Sequence, residues 1–377
     1  MDNTYGFLGG NAFIMKLYKE APFFPCSKSI SIDERKLSCV YEIYRNIADS
    51  ESRKIFNYRL IYALTLDAEY IQLLREINSS WKAADSFLQG DNYIYGAGRR
   101  AKNVREIFPQ KKWKGIIDKY KDGILDGIPI LPLESYKAKS SDRIIIATKT
   151  DNTKIIGDLL GAGAKESQII DFEHIRTESR ENIYYEERCI EGARNCDGVF
   201  LDIGCYDGEN TIKAFEKLQG IDIAYLYEPD TKNYELCKHK ISNFNKKTVL
   251  SNIAISDSKG TIKFTEAGVA SCFDNSGNKE VMTDTIDNLF RDIRVGFIKM
   301  DVEGAEDLAL NGARSVISRD KPTLAVSIYH NRDDIISIPN IITSINPDYV
   351  FRFGHHSLEW DDTVLYAIDR GRLSGLQ

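Results

Sequence analysis

Apolar positions recur at helical spacing through the first 88 residues. Leu37, Val40, Tyr41, Tyr44 and Ile47 form one stripe, and Phe56, Leu60, Ala63 and Leu64 form another. Asp33 stands where the first of these helices needs a cap. The spacing predicts a helical segment over 1–88 that serves packing or oligomerisation. Near residue 91 the pattern changes to short apolar runs separated by helical stretches. Tyr93–Tyr95, Gly115–Ile117, Arg143–Ala147 and Gln168–Ile170 read as strands, with helices over Arg99–Phe108 and Lys154–Leu160. A charged stretch from Glu173 to Glu187 then reads as a linker.

A second alternating series follows. Its strands are expected at Val199–Leu201, Ala224–Tyr227, Val249–Ile255, Phe297–Met300, Leu324–Ile328, Tyr349–Phe353 and Thr363–Ile368. Strand–helix–strand grammar of this kind predicts α/β architecture with two Rossmann-like, doubly wound parallel sheets behind a helical lead. The expected divisions are 1–88, 89–175 and 176–377.

Composition refines this outline. The chain has 377 residues, 42% of them hydrophobic and 28% charged, which suits packed globular domains. No apolar run approaches the length of a bilayer span. Met1-Asp2-Asn3 lacks the pattern of a signal peptide, and the seven scattered cysteines form no Cys-x-x-Cys pair, so a cytoplasmic setting is expected. The formal charge of -6 gives no support to nucleic-acid binding. That charge is unevenly spread. Residues 1–172 hold 26 Lys and Arg against 22 Asp and Glu, and the remainder holds 24 against 34.

The acidic half places Asp202, Glu228 and Asp301 at three strand ends, where open α/β sheets bind ligands. Between strand and helix runs Asp202-Ile203-Gly204-Cys205-Tyr206-Asp207-Gly208. Its glycines permit a tight turn, while Asp202 and Asp207 would repel a pyrophosphate. A ligand with a positive centre and no phosphate, such as S-adenosylmethionine, suits this turn. Glu228 lies 26 residues after Asp202, close to the interval at which an acid meets a ribose.

Residues 196–370 resemble the FkbM family of class I S-adenosylmethionine-dependent methyltransferases. The resemblance rests on Val199–Gly208, Tyr227-Glu228-Pro229-Asp230, Asn252–Asp257, Thr285–Leu289, Phe297–Glu306, Arg352–Ser357 and Thr363–Ala367, in that order. It implies a class I methyltransferase fold and methyl transfer, most often to a hydroxyl of a sugar or natural product. It implies cofactor contacts from Asp202, Gly204, Cys205, Asp207, Gly208 and Glu228, with Ala254 near the adenine. Residue chemistry narrows the reaction independently. Asp301-Val302-Glu303-Gly304 stands where a base N-methyltransferase would carry Asn/Asp-Pro-Pro-Tyr. The Pro-Cys of a cytosine-C5 enzyme occurs only at Pro25-Cys26, far upstream.

An alcohol needs a group to take its proton during transfer. His330 and His356 follow strand ends, and one or the other is the expected base, with Asp301 orienting cofactor or substrate and Glu303 a further catalytic candidate beside it. A divalent metal on Asp301 and Glu303 is conceivable, though two oxygen ligands fall short of a full shell. The competing reading of Glu303 and Glu306 is a helix-capping box.

The basic half has its own turn. Gly96-Ala97-Gly98-Arg99-Arg100-Ala101 opens a helix, and Asp118 ends the next strand. Residues 99–121 carry nine Lys or Arg and two acids. Gly96, Gly98, Arg99 and Arg100 are expected to face a diphosphate, and Asp118 a ribose or base. Residues 91–171 also resemble the nucleotide-sugar-binding N-terminal domain of sugar acyltransferases, through Ile94–Gly98, Gly115–Asp118, Gly127–Ile130 and Ile144–Ala147. That resemblance implies a nucleotide-linked sugar and a role in glycan biosynthesis. Lipid or secondary-metabolite O-methylation remains open, as do an NAD-dependent oxidoreductase and a non-catalytic nucleotide-sugar-binding protein.

Overall fold

The computed structural model describes residues 33–149, 152–265, 272–273 and 279–373. Pro25-Cys26 and the rest of 1–32 lie outside the described residues. The chain forms two compact units. The first comprises Met1–Ala68, Tyr184–Gly354 and Thr363–Gln377, and the second comprises Glu69–Ile183 and His355–Asp362.

Four helices come first: α1 (Glu34–Arg45), α2 (Ser50–Thr65), α3 (Ala68–Arg75) and α4 (Ser79–Phe87). Asp33 caps α1 as expected, accepting from the Lys36 amide at 2.8 Å. The buried line of α1 differs from the expected stripe. Ile43 and Ile47 are buried, whereas Leu37, Tyr41 and Tyr44 are exposed. The inward face runs through Lys36, Val40, Ile43 and Ile47, rotated by one residue, because Lys36 is drawn in by Asp333 at 2.9 Å. In α2, Ile55, Phe56 and Ala63 face the core.

The second unit holds six strands: β1 (Asp91–Tyr95), β2 (Trp113–Asp118), β3 (Gly123–Leu125), β4 (Ile128–Pro132), β5 (Asp142–Ile146) and β6 (Ile169–Asp171). Their order is β3-β4-β2-β1-β5-β6. Helices α5 (Arg99–Ile107), α6 (Thr153–Gly161) and α7 (Phe172–Ser179) join them. The β3–β4 hairpin was not expected. It turns on Asp126 and Gly127, both at positive φ, the combination a tight two-residue hairpin requires. Trp81, Val104, Phe108, Ile116 and Phe172 are buried together on one side of this sheet, and Ile117, Ile144, Ile146 and Leu159 in a second cluster.

The expected linker over Glu173–Glu187 is instead ordered structure. It contains most of α7, and it ends in Tyr184 and Tyr185, both 1% exposed, at the start of α8 (Glu187–Ile190).

The first unit is built on β7 (Val199–Ile203), β8 (Ala224–Tyr227), β9 (Thr248–Ser251), β14 (Val295–Met300), β15 (Thr323–Ser327), β16 (Tyr349–His355) and β17 (Thr363–Asp369). All seven expected strands are present, in the order β16-β17-β15-β14-β7-β8-β9, with β17 antiparallel to β15. β14 and β15 are buried at every position, as strands covered on both faces must be. The intervening β10 (Ala254–Ile255), β11 (Gly260–Thr265), β12 (Cys272–Phe273) and β13 (Lys279–Asp284) make a separate small sheet. The expected single strand Val249–Ile255 is therefore split between two sheets. Helices α9 (Glu209–Lys217), α10 (Thr231–Ser242), α11 (Ile286–Leu289), α12 (Glu306–Asn311), α13 (Arg314–Asp320), α14 (Asp334–Ile345) and α15 (Arg370–Leu373) complete the unit. Strand order reverses at β7, which places the ligand crevice beyond the carboxyl ends of β7, β8 and β14.

Helices α1 and α2 serve this sheet directly. Phe351 on the outer strand β16 exchanges backbone hydrogen bonds with Asn46 and Ala48, which closes an open edge. Arg332 is buried, and its guanidinium donates to the Ala63 carbonyl at 2.9 and 2.6 Å. A cation there satisfies a carbonyl in the last turn of α2 and opposes the negative end of its dipole. Lys36, through Asp333, and Arg332 thus tie down the end of the loop between β15 and α14 that leads into α14. R332A should lower stability by about 1–3 kcal/mol in urea unfolding, the cost of an orphaned buried acceptor. A change under about 0.5 kcal/mol would show that the clamp contributes little.

Candidate functional site

The crevice is organised by a lysine. Lys299 on β14 is paired in register with Asp202 on β7. Its Nζ lies 3.0 Å from Asp202 Oδ1 and donates to the Gly204 carbonyl at 2.5 Å, with the Tyr184 ring 5.1 Å away. Asp202 Oδ2 accepts from the Thr211 hydroxyl at 2.6 Å. Both charged groups are fully buried. Burial opposes the charge on Lys299, but Asp202 and Asp301 prevail and hold its pKa above the ordinary value. The sequence places Asp202 among the cofactor contacts; in the structure its carboxylate is buried and engaged by Lys299 and Thr211. It holds the turn from behind, and its charge is neutralised.

The turn itself is tightly built. Gly204 sits at φ +76°, and a Cβ there would lie 1.8 Å from the Asp301 carbonyl oxygen. Gly208 is at φ +82°, against the Cys237 sulfur. Cys205 is buried with its Sγ 3.6 Å from that same sulfur. Asp207 accepts from the Glu209 amide at 3.0 Å and from Lys240 Nζ at 2.7 Å. Cys205, Asp207 and Gly208 are thus engaged with the protein. The exposed group of the turn is Tyr206, a non-glycine residue at φ +50°. Ala254 is 3% exposed and packs with Ile262, Phe264 and Val281 in the small sheet.

Glu228 ends β8 and is 5% exposed. One oxygen accepts from the Tyr206 amide and the other from the Asp230 amide, each at 2.9 Å. Each carboxylate oxygen retains a second lone pair for a donor in the crevice. Burial pushes its pKa up to about 7, against the lowering effect of the two amides and Lys299.

The end of β14 carries a second cluster. His330 Nε2 lies 3.5 Å from Asp301 Oδ1 and 3.5 Å from Glu303 Oε2, while Nδ1 lies 2.9 Å from Glu306 Oε1. Tyr329 donates to Asp301 at 3.4 Å. Glu303 adopts a left-handed backbone conformation at φ +54°, a strained geometry for a residue other than glycine. Burial pushes Glu303 up to about 7, with the His330 charge opposing. Asp301 stays below the ordinary value, because Lys299 and His330 outweigh its burial. Glu303 and Glu306 do not form the capping box of the competing reading, since no side chain caps α12. Glu306 is buried and accepts from the Val302 amide at 2.9 Å.

His330 joins this cluster as expected, but not as a ready base. Burial opposes its protonation, yet Glu306, Asp301 and Glu303 prevail and push its pKa up to about 10. As it stands, the imidazole already holds its proton at neutral pH. His356 lies in the second unit, buried, with its amide donating to the Asp362 carbonyl at 3.0 Å. The cluster around Asp301 is built from residues of the first unit.

At the second turn, Asp118 is already committed. It accepts from the amides of Ala97 at 2.7 Å, Tyr120 at 2.9 Å and Lys121 at 3.0 Å. Arg100 pairs with Glu173 and donates to the Thr148 carbonyl at 3.0 Å. Gly96 (φ +103°) and Gly98 shape the turn, and Arg99 is exposed. A cavity of about 470 Å³ lies at the opposite, amino ends of β1 and β2, lined by Trp81, Asp85, Asn92, Phe108 and Lys112.

Comparison with known proteins now bears on the first unit. Residues 202–353 match the family model described as the methyltransferase FkbM domain. That segment carries the turn, Glu228 and the whole Asp301–His330 cluster. No curated protein matches the chain. Among solved structures, methyltransferase FkbM from Methylobacillus flagellatus is 17% identical over 83% of this chain and 99% of its own, with a TM-score of 0.43. An O-methyltransferase from Bacillus cereus, in complex with SAH, is 13% identical over 59% of this chain and 92% of its own, with a TM-score of 0.33. Aeropyrum pernix fibrillarin, with S-adenosyl-L-methionine bound, is 10% identical over 47% and 68%, with a TM-score of 0.30. Among the described residues no helix is long and apolar enough to cross a membrane.

Sequence reasoning missed Lys299, Thr211, Tyr184 and Tyr206 in the matched segment and its surroundings. A lone lysine inside the apolar run Phe297-Ile298-Lys299-Met300 was the available signal, since such a residue is seldom buried without a partner.

Two predictions follow from the charges. K299M leaves Asp202 buried without its partner and should cost about 3–5 kcal/mol in urea unfolding, while D202N/K299M recovers part of that loss. Equal losses in both variants would mean the pair is not coupled. Glu228 has a folded pKa raised above its unfolded value, so its stabilising contribution is complete below about pH 4.5 and lost as pH rises through about 7. The stability of wild type relative to E228Q should therefore fall by up to about 1.4 kcal/mol per pH unit between pH 5 and 7. A pH-independent difference would contradict the raised pKa.

Proposed function

We propose that this protein is an S-adenosylmethionine-dependent methyltransferase that methylates a hydroxyl oxygen of a sugar or glycan precursor. The observation that carries this reading is the pairing of two carboxylate sites on either side of β7, within a segment that matches a methyltransferase domain. On one side stands Glu228, with lone pairs left for hydroxyl donors. On the other stand Asp301, Glu303 and His330.

The cofactor fits the first of these sites. The amide-braced Glu228 carboxylate suits the two hydroxyls of a ribose. Lys240, the lysine beside the turn, is paired with Asp207 and Glu209 at 2.7 Å each, which suits a ligand without phosphates. Tyr206 projects from the turn and can cover a bound ring. When bound, the cofactor supplies a methyl group on a sulfonium that leaves as a neutral thioether.

The chain's own residues then position the acceptor and receive its proton. Asp301 and Glu303 accept a hydrogen bond from the acceptor hydroxyl, orienting its oxygen toward the crevice. As the oxygen–methyl bond forms, the hydroxyl proton passes to a carboxylate oxygen of this pair. His330 keeps the two carboxylates together. An oxygen acceptor is favoured because a neutral amine would not need this proton-accepting cluster.

The basic turn of the second unit retains exposed Arg99 and the open Gly98 for an anionic group. We include a nucleotide-linked sugar as its proposed ligand and a cytoplasmic setting for the reaction.

Calorimetric titration tests the cofactor assignment. S-adenosylhomocysteine should bind, and E228A should weaken it by about 10- to 100-fold, the loss of charge-assisted hydrogen bonds worth about 1.5–3 kcal/mol. Binding of NAD without S-adenosylhomocysteine would overturn the reading.

A further inference from the structure

The cluster at the end of β14 is more acidic than its one imidazole can balance. Three carboxylates, those of Asp301, Glu303 and Glu306, surround His330, and the nearby Lys299 ammonium is already shared with Asp202. Charges this close in a buried setting call for a counter-cation.

The polar atoms there are also left open. Glu306 is 1% exposed, and one of its oxygens, Oε2, has no hydrogen-bond partner among the described residues. The same holds for both ring nitrogens of His330, whose side chain is 9% exposed. Nδ1 is 2.9 Å from Glu306 Oε1, but the angle is not that of a hydrogen bond. Buried atoms of this kind are normally satisfied, so each points to an absent partner. One ligand atom from each of Asp301, Glu306 and His330 lies within 4.8 Å of the others. Atoms that share one metal at about 2.0–2.2 Å are at most about 4.4 Å apart, so small rotations close the site.

We propose that Asp301, Glu306 and His330 bind one divalent transition-metal ion, with Glu303 beside it. One imidazole nitrogen and two carboxylates suit Mn²⁺, Fe²⁺ or Zn²⁺ better than Mg²⁺ or Ca²⁺, which prefer oxygen alone. Tyr329 donates to Asp301 at 3.4 Å, and Asn331 donates to the Gly304 carbonyl at 3.2 Å. These contacts hold the histidine loop against the carboxylate loop before any ion arrives. The metal site stands independently of methyl transfer. Its role rests on the function proposed above: an ion there would coordinate the acceptor hydroxyl and ease loss of its proton to Glu303.

The test uses the full chain after treatment with a chelator. Mn²⁺ is followed by electron paramagnetic resonance and Zn²⁺ by calorimetry, each with S-adenosylhomocysteine binding measured in parallel. Wild type should take up one ion per chain. E306Q and H330Q should weaken uptake about tenfold or more while cofactor binding changes less than about twofold. If either variant misfolds by circular dichroism, D301N replaces it. Absence of saturable uptake by wild type overturns the site, as does equal uptake by the variants. Loss of cofactor binding with metal uptake intact would instead count against the methyltransferase reading.

Discussion

A single buried ion pair sets the geometry of the first unit. Lys299 and Asp202 face each other on neighbouring central strands, with no exposure to water. Removing two charges from water is unfavourable, and their attraction offsets this only when further hydrogen bonds complete the site. Here Thr211 and the Gly204 carbonyl supply them. The lysine therefore reaches beyond its partner and holds the backbone of the glycine turn. Gly204 in turn lies so close to Asp301 that no side chain fits between them. The glycine turn and the acidic strand end are thus joined through the same pair, one by the lysine and the other by close backbone packing.

Such ties continue into the loop that carries His330. That loop is fixed by Arg332 on the end of α2 and by Lys36 against Asp333. Both anchors come from helices that contain no catalytic constellation. Their contribution is positional: they hold an imidazole among three carboxylates despite the strain at Glu303. Without outside support, such a like-charged cluster would spread apart or take up protons.

Much of this was legible in the sequence, for identifiable reasons. The seven strands of the first unit are apolar runs bounded by turn residues, and burial on both faces keeps that pattern uninterrupted. Glu228, Asp301 and His330 were visible because polar residues at strand ends stand out against such runs. What stayed hidden depends on partners distant in the chain. Asp202 reads as a ligand-facing acid until Lys299, 97 positions later, is placed beside it. Tyr184 and Tyr185 were submerged in a charged stretch, although a pair of aromatics there is itself unusual. Glu306 reads as a helix cap because its spacing from Glu303 fits one, and only burial distinguishes a cap from an unsatisfied carboxylate. The stripe on α1 was misplaced by one residue because a lysine, not a leucine, is drawn inward.

The same contrast explains the changed view of charge. Counted along the chain, the acidic residues at the strand ends suggest one electronegative cleft. In the structure they do three different jobs. Asp202 is neutralised and structural, Glu228 is braced by the amides of Tyr206 and Asp230, and Asp301 with Glu303 and Glu306 shares one imidazole. Only the third group carries surplus negative charge. It is also where the neighbouring carboxylates push the His330 pKa up to about 10, so that the imidazole already carries its proton at neutral pH. A cluster that strengthens the hold of its histidine on a proton is poorly arranged for base catalysis by that histidine.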